Sequence, residues 1–112
     1  MEIKQLQRLK MFLEVRRKEL QSSIEDQLQN ARQAEPESDV MDRASSTYEK
    51  ASVLQRSTEE QRLLGLVEAA LGRVRDGSYG QSLSCHEEIS GKRLAAVPWT
   101  RYCIKCQEKS EQ

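Results

Sequence analysis

Little in this sequence supports a thick core. Aromatic residues make up 4% of its 112 positions and hydrophobic residues 37%. Even with the five glycines added, the apolar share stays below the ~45–50% of an ordinary globular domain. A chain so short and so poor in aromatics does not enclose a deep pocket, which argues against a compact enzyme. The single histidine, with no evident nucleophile–base pairing, points the same way. An excess of one charge is also missing. Eighteen basic side chains balance eighteen acidic ones, so no bulk affinity for nucleic acid or anionic membrane is indicated. The longest apolar run, Leu94-Ala95-Ala96-Val97, is far short of the ~20 residues that span a bilayer. Met1-Glu2-Ile3-Lys4-Gln5 carries no apolar signal core. The expectation is a cytoplasmic protein whose three cysteines are reduced. An odd cysteine count also speaks against a disulfide framework.

What is present is helical periodicity. Residues 2–33 contain neither glycine nor proline. Apolar side chains recur at Ile3, Leu6, Leu9, Leu13, Leu20, Ile24, Leu28 and Ala31, in steps of three, four and seven. That is a narrow stripe on one helix face, better suited to a coiled-coil seam than to a globular core. A helix of this length reaches about 45 Å at ~1.5 Å per residue. Pro36 ends the pattern and disfavours helical geometry at Glu35. Ser38 or Asp39 is then placed to cap a second helix running to Arg75. Its apolar positions include Ala44, Tyr48, Ala51, Leu54, Leu63, Val67, Ala70 and Val74, its middle from Gln55 to Gln61 is polar, and Gly65 marks a candidate bend. Two long helices with a short connection fold back on each other. The expected class is mainly α. Residues 1–75 form a long antiparallel coiled-coil hairpin with an acidic tip near 35–44. Residues 76–112 form a small zinc-finger-like module after the break at Asp76-Gly77-Ser78-Tyr79-Gly80.

That second module holds every cysteine. Cys103-Ile104-Lys105-Cys106 is a C-x2-C pair, and Ser82-Leu83-Ser84-Cys85 has the same spacing with serine at its first place. The C-x2-C-x15–20-C-x2-C arrangement is a four-cysteine zinc signature, because a two-residue gap lets one turn aim two thiolates at one tetrahedral ion. Three outcomes follow from three thiolates and a hydroxyl. Zinc binds through Cys85, Cys103 and Cys106, with His86, a carboxylate or water as the fourth ligand. Otherwise packing and hydrogen bonds replace the metal, or the site is partly filled and its thiols are sensitive to oxidation.

Taken together, these motifs match a known family. Asp39-Val40-Met41-Asp42-Arg43-Ala44 fits D-x-x-D-x-A after a long helix. Gly77-Ser78-Tyr79-Gly80 leads into the Ser82/Cys85 pair, followed by Ile89, by Arg93-Leu94-Ala95-Ala96-Val97-Pro98, and by Cys103 and Cys106. The chain resembles the DksA/TraR family of bacterial transcription factors over nearly its whole length. The resemblance implies a non-enzymatic regulator that binds RNA polymerase directly, without sequence-specific DNA binding. Its hairpin enters the secondary channel, and its acidic tip approaches the catalytic region. It implies that Asp39, Asp42 and Ala44 are the tip residues that meet the polymerase. It also implies that Cys85, Cys103 and Cys106 are three of four zinc positions, with Ser82 at the fourth. The family's larger members carry an extra N-terminal helical segment. The positions at which its best-known member uses basic residues for guanosine tetraphosphate hold Leu66, Val97 and Gln107 here.

The charge distribution agrees in part. Glu35, Glu37, Asp39, Asp42 and Glu49 face one Arg43 around the expected tip, whereas Lys92, Arg93, Arg101, Lys105 and Lys109 face one Glu108 in the C-terminal module. Tip carboxylates also serve as helix caps. Trp99 and Tyr102 beside basic residues are either a stacking platform for nucleic acid or filling for the small module. The expected protein is a monomer with RNA polymerase as partner and zinc as cofactor. Rival readings are a zinc-ribbon nucleic-acid adaptor and a structural coiled-coil protein.

Overall fold

The structure is a computed structural model. It describes residues 1–33 and 40–111, with side chains described for 1–30 and 55–111. It is mainly helical, in the order α1 (Ile3–Gln33), α2 (Val40–Asp76), α3 (Gly91–Ala96) and α4 (Ile104–Ser110). Among the described residues the only β-pairing is one antiparallel bridge between Gln81 and Glu88. No described helix is long and apolar enough to cross a membrane.

The helices α1 and α2 form where glycine and proline are absent or sparse, and α2 runs through Gly65 without interruption. Leu9, Leu13, Leu20 and Ile24 are the buried positions among the described side chains of α1. Their steps of four, seven and four keep them on one face. Ile3, expected in the same stripe, is 73% exposed. Six residues before Leu9, it is rotated about 240° around the helix axis and points away from that face.

The chain divides into two compact units, both threaded by the two long helices. The first comprises Met1–Arg17 and Gly65–Gln112. Its core is Leu9, Leu13, Val67, Ala70, Leu71, Tyr79, Ile89 and Leu94. The second comprises Lys18–Leu64, where Leu20 and Ile24 are the buried apolar side chains among the described residues. There a polar layer takes over. The Gln27 side-chain amide donates to Glu60 Oε1 at 2.8 Å and to Ser23 Oγ at 3.0 Å. Ser57 is 2% exposed, with no partner for its hydroxyl among the described residues.

The exit from α2 shapes everything after it. Gly77 has φ +86°, a conformation glycine takes without a steric penalty. The Ser78 amide donates back to Arg73 O at 3.0 Å, the six-to-one bond of a Schellman cap. Asp76 Oδ1 accepts from both the Ser78 amide and the Ser78 hydroxyl, and those two bonds hold the Asp76 carboxyl below its usual range. Gly80, at φ +93°, makes the next bend and turns the chain into the Gln81–Glu88 bridge.

Candidate metal centre

The two cysteine-bearing segments are placed by backbone hydrogen bonds. The Ser82 amide donates to Glu87 O at 2.9 Å, and the His86 amide donates to Ser82 O at 2.9 Å. They close a loop that carries Ser82 and Cys85. His86 completes this loop with φ 63°, the left-handed region. On the other side, Cys103 is the residue before α4, and the Gln107 amide donates to its carbonyl at 2.9 Å. Cys106 follows three residues later in the first turn of α4, so one turn of chain carries both thiols. The Leu83 amide donates to Arg101 O at 2.8 Å and ties the two segments together.

The result is a cluster. The sulfurs of Cys85, Cys103 and Cys106 all lie within 4.8 Å of one another, and Cys85 Sγ is 3.7 Å from Cys103 Sγ. All three are free thiols. Four ligands at ~2.3 Å around a tetrahedral zinc are about 3.8 Å apart, so the three thiols fit that ion. When bound, zinc would supply a structural cross-link between the two segments, held by Cys85, Cys103 and Cys106.

Two of the thiols are shifted in opposite directions. The Cys103 thiol is drawn down to about 7, first by the backbone N–H of Cys106. Burial opposes this, and the side chains of Cys106, Cys85 and Ser82 add to it. The Cys106 thiol is pushed up. Ser82 draws it down, but Cys103, burial and Cys85 together outweigh that pull.

Around the cluster the module is anchored by contacts that sequence periodicity does not reveal. The Tyr79 hydroxyl donates to Pro98 O at 2.8 Å, and burial pushes that hydroxyl up to about 12. Arg73, 9% exposed, donates from Nη2 to Thr100 O at 3.3 Å. Burial lowers the guanidinium from its ordinary value, and Tyr79 works against that. Arg93 Nε and the Thr100 hydroxyl both donate to Tyr102 O at 3.0 Å. Arg93 is therefore a brace for the 98–102 loop. Ser90 caps α3 by accepting from the Arg93 amide. Trp99 and Tyr102 are half-buried, and the Arg101 guanidinium sits 5.3 Å from the Tyr102 ring centre. Turn residues such as Gly77 signal the bends, but no spacing rule links Arg73 to Thr100 or Tyr79 to Pro98.

Of the expected site residues, Cys85, Cys103 and Cys106 are brought together. Ser82 lies against them, fully buried. His86 is exposed and is not part of the cluster. Asp39 lies outside the described residues. Asp42 and Ala44 fall in the first turns of α2, and their side chains also lie outside the described residues.

The comparisons bear on both parts of the chain. The family model of the prokaryotic dksA/traR C4-type zinc finger matches residues 83–112. An uncharacterized protein of Aquifex aeolicus is 41% identical over 66 residues, covering 59% of this chain and 46% of that one. The RNA polymerase-binding transcription factor DksA of Caulobacter vibrioides is 35% identical over 81 residues, 72% of this chain and 57% of that one. The matches thus span about half the length of these two relatives. The protein of the same name from Salmonella typhimurium is 31% identical over 108 residues, 96% of this chain and 72% of that one. The solved structure of transcription factor DksA2 from Pseudomonas aeruginosa superposes with a TM-score of 0.88 at 31% identity, covering 98% of this chain and 85% of that one. A likeness that takes in the long helices as well as the cysteine module places the chain in the DksA/TraR family.

Proposed function

We propose that this chain is a bacterial transcription regulator that binds RNA polymerase directly and has no catalytic activity of its own. It acts as a monomer in the cytoplasm, without sequence-specific DNA binding. The hairpin enters the secondary channel, and Asp39, Asp42 and Ala44 at its tip act near the catalytic region. The observation that carries the reading is the alignment of 108 residues with a relative whose name states that it binds RNA polymerase.

Charge supports the division of labour. The unit that contains the tip has 6 basic and 10 acidic side chains, a formal −4, and the unit that contains the cysteines has 12 and 8, a formal +4. Carboxylates at the end of the hairpin repel nucleic-acid phosphates and suit a site of metal ions and basic side chains. The test is a pull-down of purified core RNA polymerase beside a mobility-shift assay on promoter DNA. Polymerase capture without a DNA shift is the expected outcome. A DNA shift without capture would instead select the nucleic-acid adaptor.

A further inference from the structure

Ser82 poses a physical problem. Its residue exposure is 0%, and its hydroxyl has no hydrogen-bond partner of normal geometry among the described residues. A buried hydroxyl left unpaired costs about 1–3 kcal/mol, so such a group in a native protein points to a missing partner. Its surroundings identify that partner. The hydroxyl lies against the thiols of both Cys103 and Cys106, two corners of the three-sulfur cluster. It also occupies the first place of the Ser82/Cys85 pair, the counterpart of Cys103 in the second pair. The other candidates for a fourth ligand are less well placed. His86 is exposed and outside the cluster, and no carboxylate belongs to it. Ser84 reaches only Cys106 and is exposed.

We propose that Ser82 is itself a ligand, so that the centre binds zinc through three thiolates and one serine oxygen. Three thiols release their protons to solvent on binding, while the hydroxyl donates a lone pair and keeps its proton. The centre then carries a formal −1, against −2 for four thiolates. A neutral alcohol is a weak donor beside a thiolate, so zinc is held exchangeably. The backbone cage that carries Ser82, built by the Glu87 and His86 hydrogen bonds, holds the oxygen in place without the metal, so the corner is preorganised and water is excluded from it.

The full-length protein would be loaded with zinc for X-ray absorption, and with cobalt(II) as an optical probe. Zinc affinity would be measured by competition with a chromophoric chelator, for the parent and for Ser82→Ala, Ser82→Cys and Ser84→Ala. The expected parent shell is three sulfurs and one oxygen. Ser82→Cys should give four sulfurs, a stronger sulfur-to-cobalt charge-transfer band and zinc held at least about tenfold tighter. Ser82→Ala should lose about tenfold, the scale on which outer-shell partners of a site already act, and Ser84→Ala should match the parent. Ser82→Ala binding zinc as the parent does would show that water is the fourth ligand and would overturn the assignment. A nitrogen in the parent shell would overturn it in favour of His86. If Ser82→Ala fails to fold, the parent cobalt(II) protein in 17O-enriched water decides the question: an electron-resonance signal without 17O broadening supports the serine oxygen, and a broadened one shows bound water and overturns the assignment.

Discussion

The two units of this chain are held together by different means. The cysteine-bearing unit buries eight apolar side chains, from Leu9 to Leu94, and fastens its loops with the Tyr79–Pro98, Arg73–Thr100 and Arg93–Tyr102 bonds. Among its described residues the other unit buries Leu20 and Ile24, and sets a polar layer of Ser23, Gln27, Ser57 and Glu60 between its helices. In that layer Gln27 Oε1, Ser57 Oγ and Glu60 Oε2 are buried without a partner among the described residues. A seam of this kind contributes little beyond helix pairing, because each unpaired polar atom gives back part of what burial gains. For the described residues, the contrast implies a firmer cysteine-bearing unit, called the base here, and a softer Lys18–Leu64 unit, called the shaft. The same kind of substitution should then act with different size, and even different sign, in the two units.

The largest effect belongs to the base. Leu94 is 1% exposed, and Leu94→Ala removes most of a fully buried side chain from the small module. A loss of about 2–5 kcal/mol is expected in urea unfolding. A loss under about 1 kcal/mol would mean that the module is not packed around Leu94.

Metal removal comes next. If free zinc stands at about a hundred times its dissociation constant, binding contributes about 2.7 kcal/mol. A chelator should therefore lower the melting point of residues 77–108 and weaken the near-ultraviolet signal of Trp99, with most of the far-ultraviolet helix signal kept. Equal loss of both signals would mean that the shaft depends on the metal too, and the contrast between the units would fail.

Tyr79→Phe isolates one anchor. The ring stays, but Pro98 O loses its donor, at a cost of about 1–3 kcal/mol. The pH dependence carries a second signature. The hydroxyl titrates at about 12 in the folded protein, raised from 10.0 by burial. Above the lower value the unfolded chain releases this proton while the folded chain keeps it, so stability falls as pH rises from about 10. The parent should show that decline from Tyr79 and the variant should not, so the gap between them narrows in alkali.

How much of this was legible in the sequence follows from which signals are local. Helix periodicity is local, and α1 begins at Ile3 and α2 ends at Asp76, close to where the stripes begin and Gly77 interrupts. Cysteine spacing is local as well, and the three thiols do meet. The stripe misjudged Ile3 because it counted apolar residues rather than their angle about the helix axis. Gly65 is a candidate bend by residue type, and the helix continues through it without interruption. The brace from Arg73 to Thr100 spans 27 residues, and that from Tyr79 to Pro98 spans 19. Tertiary hydrogen bonds to backbone carbonyls leave no residue-type signature at either end. Ser82 was visible as a gap in a motif, but its burial was not.

In the shaft, Ser57→Ala should act in the opposite direction. The hydroxyl is buried and has no partner among the described residues, and alanine is the better helix former. A gain of about 1 kcal/mol is expected in thermal or urea unfolding, at a position where truncation in the base would destabilise. Destabilisation by Ser57→Ala would show that the hydroxyl has a partner, such as ordered water, and that the polar layer is satisfied after all.

The smallest change in stability, and the largest separation of stability from function, is expected at the tip. Asp42→Asn keeps size, shape and some capping ability while it removes the charge. If the tip is solvated, as the sequence leads one to expect, the change should shift unfolding by no more than about 0.5 kcal/mol. If a carboxylate at this position acts inside the polymerase, transcription in a purified system should lose its response to the protein, while polymerase capture persists through the basic unit. Asp39→Asn should behave alike but lose somewhat more helix stability, since a carboxylate before the first turn interacts with the helix dipole. An Asp42→Asn protein that regulates promoters like its parent would reduce the acidic tip to a capped turn. One that loses polymerase capture would move binding, and not only regulation, from the basic unit to the acidic one.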